Sequence, residues 1–184
     1  MVYETIEVGG RMPSVFYLGG KQAGCIGLLT ILSSGYTVKG VVAYDALMGN
    51  MASAFGYKIY GSAKNPDVVE LLSDSDLLVS VHCREIITRD LLTLPRFGGM
   101  NVHPCLFKYK GAHPIQKLLS DGGKLASVGV HRMTEVLDEG EVLAEIYVNV
   151  TGKQSEEEIY NTLYPYYSLA IITALKKIQE GIVC

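Results

Sequence analysis

The sequence predicts an α/β fold, a mostly parallel sheet flanked by helices, on three observations. Short β-branched and aliphatic runs alternate along the chain with helical segments, the pattern of repeated βαβ units. The first such run, Val15-Phe16-Tyr17-Leu18, closes on Gly19-Gly20 and feeds directly into a helix. The run Leu77-Leu78-Val79-Ser80-Val81 is nearly continuous in hydrophobicity, as a strand covered on both faces has to be.

Composition bounds the rest. A chain of 184 residues suits one domain of ordinary size, and 48% hydrophobic with 19% charged residues is globular rather than disordered or fibrous. Lys plus Arg total 16 against 19 Asp plus Glu, a net charge of −3, and no like-charge run exceeds Glu156-Glu157-Glu158. A surface that tracks nucleic-acid phosphates is therefore not expected. No apolar stretch is long enough to span a membrane and the first residues lack the signal-peptide pattern, so a cytoplasmic protein is expected. Cys25, Cys83, Cys105 and Cys184 form no C-x-x-C pair, which makes free thiols the default.

Each element follows in order. Residues 1–13, with Gly9-Gly10 and Pro13, read as an appended strand and turn, and the domain proper is expected over 14–184. The strand at 15–18 leads to a helix over 22–32 closed by Gly35. A strand at 38–44, a helical piece at 52–56 and a strand at 57–60 come next, then a helix at 67–72 and the strand at 77–81. After Gly98-Gly99, the short strand Met100-Asn101-Val102-His103 ends at Pro104. A helix over 113–119 and strands over 128–133 and 143–150 complete the sheet, the last alternating at Ile146, Val148 and Val150 so that one face is exposed. Ser155-Glu156-Glu157-Glu158 is a capping box opening a C-terminal helix, which Pro165 is expected to kink or split and Gly181 to end.

Two segments carry candidate chemistry. The turn Gly19-Gly20-Lys21-Gln22-Ala23-Gly24 offers backbone N–H groups and a positive helix end to an anion, with the Lys21 charge beside them. Its spacing is neither a dinucleotide fingerprint nor a P-loop, so a tight connection that needs glycine for close packing is the competing reading. The second segment is Asn101-Val102-His103-Pro104. Residues two apart on a strand share a face, so the Asn amide and the His imidazole emerge together at the carboxyl end of a parallel strand, where α/β sheets bind ligands. An amide donor for an oxyanion beside an imidazole for proton traffic is what acyl transfer requires. A carboxylate on the turn Leu137-Asp138-Glu139-Gly140 can reach a neighbouring strand end and orient such an imidazole, although a plain turn aspartate would look the same.

Taken in order, Asn101-Val102-His103-Pro104-Cys105-Leu106, Tyr109-Lys110-Gly111-Ala112-His113-Pro114-Ile115-Gln116, Val128-Gly129-Val130-His131 and Leu137-Asp138-Glu139-Gly140 resemble the catalytic stretch of the 10-formyltetrahydrofolate-dependent formyltransferases. That family holds glycinamide ribonucleotide, methionyl-tRNA and nucleotide-sugar formyltransferases, and the resemblance runs over about residues 14–181. It implies a Rossmann-like formyltransferase fold with 10-formyltetrahydrofolate as formyl donor and no metal. Asn101 would bind the formyl oxygen as it becomes an oxyanion, His103 would handle protons, and Asp138 would polarise His103 and help carry off the amine proton. The pterin would lie between Cys83, Arg84, Glu85, Ile86 and Ile87 on one side and Leu137 and Asp138 on the other. Substrate contacts are implied at Gly20, Lys21, Tyr109 and Gly111. His131 resembles a histidine near the active site of the purine branch, with a core or sheet-face histidine as the other reading.

Departures from the family pattern bear on the acceptor. Cys105-Leu106-Phe107-Lys108 lacks the second proline usual after N-x-H-P, and His82-Cys83 stands where relatives place Gly-Tyr or Gly-Phe in the folate strand. The purine branch's phosphate loop is replaced by the Gly19-Gly20-Lys21-Gln22-Ala23-Gly24 turn. The acidic charge and the lack of room for a basic second domain weigh against tRNA. The expected acceptor is thus a small nucleotide-linked amino sugar, with glycinamide ribonucleotide second, a methionyl-tRNA formyltransferase-like or non-catalytic folate-binding or regulatory domain as further alternatives, and a homodimer as a possible state.

Overall fold

The computed structural model describes residues 12–183; the strand and turn expected at the start of the chain lie, up to residue 11, outside the described residues. A seven-stranded sheet runs in the order β3-β2-β1-β4-β5-β6-β7. Its parallel part comprises β1 (Ser14–Gly19), β2 (Thr37–Ala43), β3 (Ile59–Tyr60), β4 (Leu77–Val81) and β5 (Gly99–Pro104), while β6 (Leu125–Arg132) and β7 (Val142–Asn149) are antiparallel. The sheet is thus mostly parallel, as the sequence predicts.

Alternation along the strands splits the core in two. Val15 and Tyr17 of β1, Leu77, Val79 and Val81 of β4, Met100 and Val102 of β5, and Ala126, Val128 and Val130 of β6 point to one side. There they meet α1 (Lys21–Ser33), α2 (Ala46–Ala54), α5 (Pro114–Ser120) and α6 (Glu156–Val183). Phe16, Leu18, Val42 and Leu78 point to the other side, where, among the described residues, α3 (Pro66–Ser73) and the single turn α4 (Arg89–Leu92) are the helices that supply buried side chains, joined by Tyr60, Ala63 and Ile87. That thinner cover leaves the second face of β4, β5 and β6 open at their ends, and the polar residues of those strands lie there.

Three expectations are corrected. The helical piece at 52–56 is the end of α2, which begins at Ala46 because Asp45 caps it, its carboxylate accepting from the Met48 N–H at 3.0 Å. The four-residue α4 was not foreseen; so short a turn has no apolar period to read. Pro165 neither splits α6 nor does Gly181 end it. The capping box does form, with Ser155 Oγ accepting from the Glu158 N–H and Glu158 Oε2 accepting from the Ser155 N–H. An internal proline costs roughly 3 kcal/mol, whereas each fully buried Leu or Ile contributes about 1.5–3 kcal/mol. Ile159, Leu163, Ile171, Leu175 and Ile178 are all buried on α6, so packing outweighs the proline.

Candidate active site

Sheet register builds the first half of the site. Asn101 on β5 pairs with Ser80 on parallel β4 and with His131 on antiparallel β6, so the three side chains form one row across the open face. The Ser80 hydroxyl donates to Asn101 Oδ1 at 2.8 Å, and Asn101 Nδ2 lies 3.3 Å from His131 Nε2. His131 Nδ1 is 2.8 Å from the Arg132 carbonyl, which only an N–H can satisfy, so His131 carries its proton on Nδ1 and presents a bare Nε2 when neutral. His103, two residues beyond Asn101, pairs with Gly129. A Cβ at Gly129 would come within 2.5 Å of Leu106, which explains the glycine opposite the imidazole.

The turn after β6 supplies the second half. At Gly140 a Cβ would run into the Arg132 carbonyl, so glycine lets this turn lie flat on the strand and brings Asp138 over the sheet. Asp138 Oδ2 accepts the Gly111 N–H at 2.7 Å and stands 3.2 Å from His103 Nε2; Oδ1 stands 3.2 Å from His131 Nε2. The Gly111 carbonyl takes His103 Nε2 at 3.0 Å. The N–H and the carbonyl of one residue, Gly111, thus hold acid and base together. Burial tends to raise the Asp138 carboxyl, but the contact with His131, the nearby His103 and the Gly111 N–H outweigh it and keep it below the ordinary aspartate value.

Among the described residues, five that are not glycine adopt positive φ: Lys21, His82, Cys105, His113 and Asp138. All except Cys105 line one cavity of about 590 Å³, and Cys105 follows a lining residue, Pro104. Strain of about 1–3 kcal/mol per residue gathered around one cavity marks a functional site.

Most sequence-predicted residues converge on this cavity. Asn101, His103, Asp138, Leu137, Cys83, Arg84, Glu85, Ile86 and Ile87 all line it, as do Lys21 and Gly111. Cys83 bonds to the Tyr44 hydroxyl at 3.2 Å and its thiol is pushed up by burial, so it is not a ready thiolate. Tyr109 does not line the cavity. It is buried in the core with its hydroxyl donating to Asp121 at 2.8 Å. The glycine turn differs from the anion-binding reading as well: Gly20 N–H bonds to Val81 O, and Lys21 N–H donates to Asp45 Oδ2 at 2.6 Å, so a carboxylate of the chain already sits there. His82, beside Lys21, has its pKa lowered to about 4 by burial and by the charges of Lys21 and Arg84, against the pull of Asp45.

A family model described as formyl transferase matches residues 53–175, well over half of the chain. The chain belongs to the formyl transferase family. Among relatives in it, the bifunctional polymyxin resistance protein ArnA of Wigglesworthia glossinidia brevipalpis is 33% identical over 98 residues, covering 53% of this chain and 15% of that protein. A methionyl-tRNA formyltransferase of Alkaliphilus metalliredigens is 30% identical over 136 residues, 71% of this chain and 43% of that protein. The chain spans less than half the length of either relative. Among solved structures, glycinamide ribonucleotide transformylase 1 of Symbiobacterium toebii superposes with a TM-score of 0.78 at 20% identity, over 97% of this chain and 92% of that one. A formyltetrahydrofolate deformylase of Pseudomonas putida gives 0.72 at 20% identity, over 90% of this chain and 64% of that one. These likenesses establish the formyl transferase fold.

Ser80 was missed by sequence reading. Its one signal was a hydroxyl inside an otherwise apolar strand, since a buried hydroxyl needs a partner. The double role of Gly111 had no signal, because it acts through its backbone.

Proposed function

We propose that the protein transfers a formyl group from 10-formyltetrahydrofolate to a primary amine, with a small nucleotide-linked amino sugar as acceptor. One observation carries this reading. His103 Nε2 is held by the Gly111 carbonyl and Asp138, whereas His103 Nδ1 is the one buried side-chain nitrogen or oxygen among the described residues with no hydrogen-bond partner. A buried polar atom left unpaired costs about 1–3 kcal/mol, which a substrate contact would relieve.

The surroundings fit the folate. The cavity volume lies within the usual range of roughly 300–1,000 Å³ for small-molecule sites. Ile86 and Leu137, 78% and 64% exposed, offer apolar surface for a flat ring, and Cys83, Arg84, Glu85, Ile87 and Asp138 would complete the slot. When bound, 10-formyltetrahydrofolate supplies a formyl carbon open to attack by an amine. Asn101 donates a side-chain N–H to the formyl oxygen as negative charge grows there, a contact worth roughly 100- to 1,000-fold in rate. With the donor bound, His103 would take the proton of the attacking amine on Nδ1, its Nε2–H staying on Gly111 O and Asp138, and would return it to the donor nitrogen as the bond from that nitrogen to the formyl carbon breaks. Asp138, kept ionised, stabilises the imidazolium that results.

The Asp45 carboxylate on the Lys21 N–H favours an amino sugar over glycinamide ribonucleotide, because a phosphate at that turn would face a negative charge. Turnover with a panel of amines, followed through the absorbance difference between donor and tetrahydrofolate, tests the reading. Formylation of an amino sugar nucleotide above the other amines supports it. Donor binding with no turnover on any amine would favour a folate-binding domain.

A further inference from the structure

His131 Nε2 has two claimants. Asn101 Nδ2 lies 3.3 Å away and Asp138 Oδ1 3.2 Å away, the one a donor and the other an acceptor. With Nδ1–H committed to the Arg132 carbonyl, a neutral His131 can only accept at Nε2, and so it can satisfy Asn101 but not Asp138. A proton taken from solvent onto Nε2 reverses this: the new N–H is donated to the carboxylate and faces the Asn101 amide as a like dipole.

We propose that His131 is a positioning residue whose proton state decides whether Asn101 or Asp138 is anchored to it. In the neutral state, Asn101 is fixed at both ends, Oδ1 by the Ser80 hydroxyl and one N–H by His131, which leaves its second N–H for a ligand in the cavity. In the charged state, Asn101 loses one anchor, and Asp138 is drawn to His131 at the expense of His103. One protonation therefore loosens the amide donor and competes for the carboxylate that supports His103. His131 need not touch the substrate for this.

The charged groups around His131 do not supply a rival switch. On its own strand, Arg132 pairs with Glu141, which also pairs with Lys177 of α6. On β7, Glu145 accepts from the Phe107 N–H and the Ser127 hydroxyl. In the turn after β6, Glu135 pairs with Arg89. His103, on β5, meets His131 only through Asp138.

The role of Asn101 in formyl transfer rests on the function proposed above; the coupling between His131 and Asn101 does not. Nuclear magnetic resonance on ¹⁵N-labelled protein, without folate or amine, separates the two. As pH is lowered over the range in which the fold persists, the Asn101 side-chain amide resonances should move together with the His131 ring resonances. That movement should vanish in His131→Gln and persist in His103→Gln. An Asn101 amide that stays still across that range, or that still moves in His131→Gln, overturns the proposal. These signals come from the wild-type protein first, so a poorly folded variant does not remove the test. In turnover, log kcat should fall less steeply toward acid in His131→Gln than in wild type, because one of the protonations that disable the site is removed; equal slopes would contradict it. Absence of any turnover would sink the formyl-transfer reading and leave the resonance result standing.

Discussion

Asp138 Oδ2 lies 3.2 Å from Nε2 of His103, with both side chains nearly closed to solvent. A carboxylate in that place holds the imidazole in one tautomer and orientation. Asp138→Asn retains an acceptor for the Gly111 N–H but removes the charge. It should therefore lower the maximal rate by roughly 100-fold or more, depressing the whole pH profile rather than shifting its acid limb. Steady-state kcat measured from about pH 5 to 8 checks this.

Asn101→Ala and His103→Ala should each reduce kcat by roughly 100-fold or more, the scale of a lost oxyanion donor or positioned base. Both residues border the cavity, so the melting temperature should move by no more than about 4 °C, equivalent to about 1 kcal/mol in a domain of this size. Calorimetry beside the kinetic assay separates chemistry from folding, and full activity in either variant would displace these residues from the reaction centre.

Gly140→Ala is the structural counterpart. A methyl group at this position collides with the Arg132 carbonyl, so the Asp138 turn must lift from β6. Activity should fall as in Asp138→Asn although no chemical group is lost, and the melting temperature should drop too. A variant with wild-type kcat would show that the turn need not lie on the strand.

Stability should decline in acid for two reasons with different windows. His82 has a folded pKa lowered to about 4 from an ordinary value near 6.5. The unfolded chain then binds more protons in between, and stability is lost as pH falls from about 6.5 to about 4. The unscreened effect would be about 3 kcal/mol and solvent screening at this half-buried site reduces it to about 1–2 kcal/mol. Asp138, held below its ordinary value, stabilises the fold above about pH 4, and that contribution fades only below it. Denaturant titrations of His82→Gln should show a flatter stability curve between those two pH values; an unchanged curve would contradict the buried neutral imidazole.

How much of this was legible in the sequence depended on where each signal lived. Strand alternation put Asn101 and His103 on one face, and the apolar run of β4 revealed a strand covered on both sides. Contacts made by the backbone left no residue-type signature, so Gly111 was expected as a substrate contact and not as the residue whose backbone holds His103 and Asp138. The link between His131 and Asn101 required the antiparallel register of β5 and β6, which no local pattern specifies. The split of α6 at Pro165, one of the two outcomes expected there, does not occur because tertiary packing of α6 overrode a local rule.

The folate slot can be tested apart from chemistry. A non-transferable folate analogue should raise the melting temperature of the wild-type protein, since a ligand bound only by the native state stabilises it. His103→Ala should keep most of that shift. Ile86→Asp should lose it without altering the unliganded melting temperature, because the side chain is 78% exposed at the cavity mouth.

The most direct measurement follows the formyl group itself. With 10-formyltetrahydrofolate carrying ¹³C in the formyl carbon, and an amino sugar nucleotide as acceptor, the label should appear as an N-formyl amide on the sugar. Its rate of appearance should match the loss of donor and fall by roughly 100-fold or more in Asn101→Ala. Label that remains on the folate, or that is released only as formate at a rate indifferent to Asn101, would contradict the account.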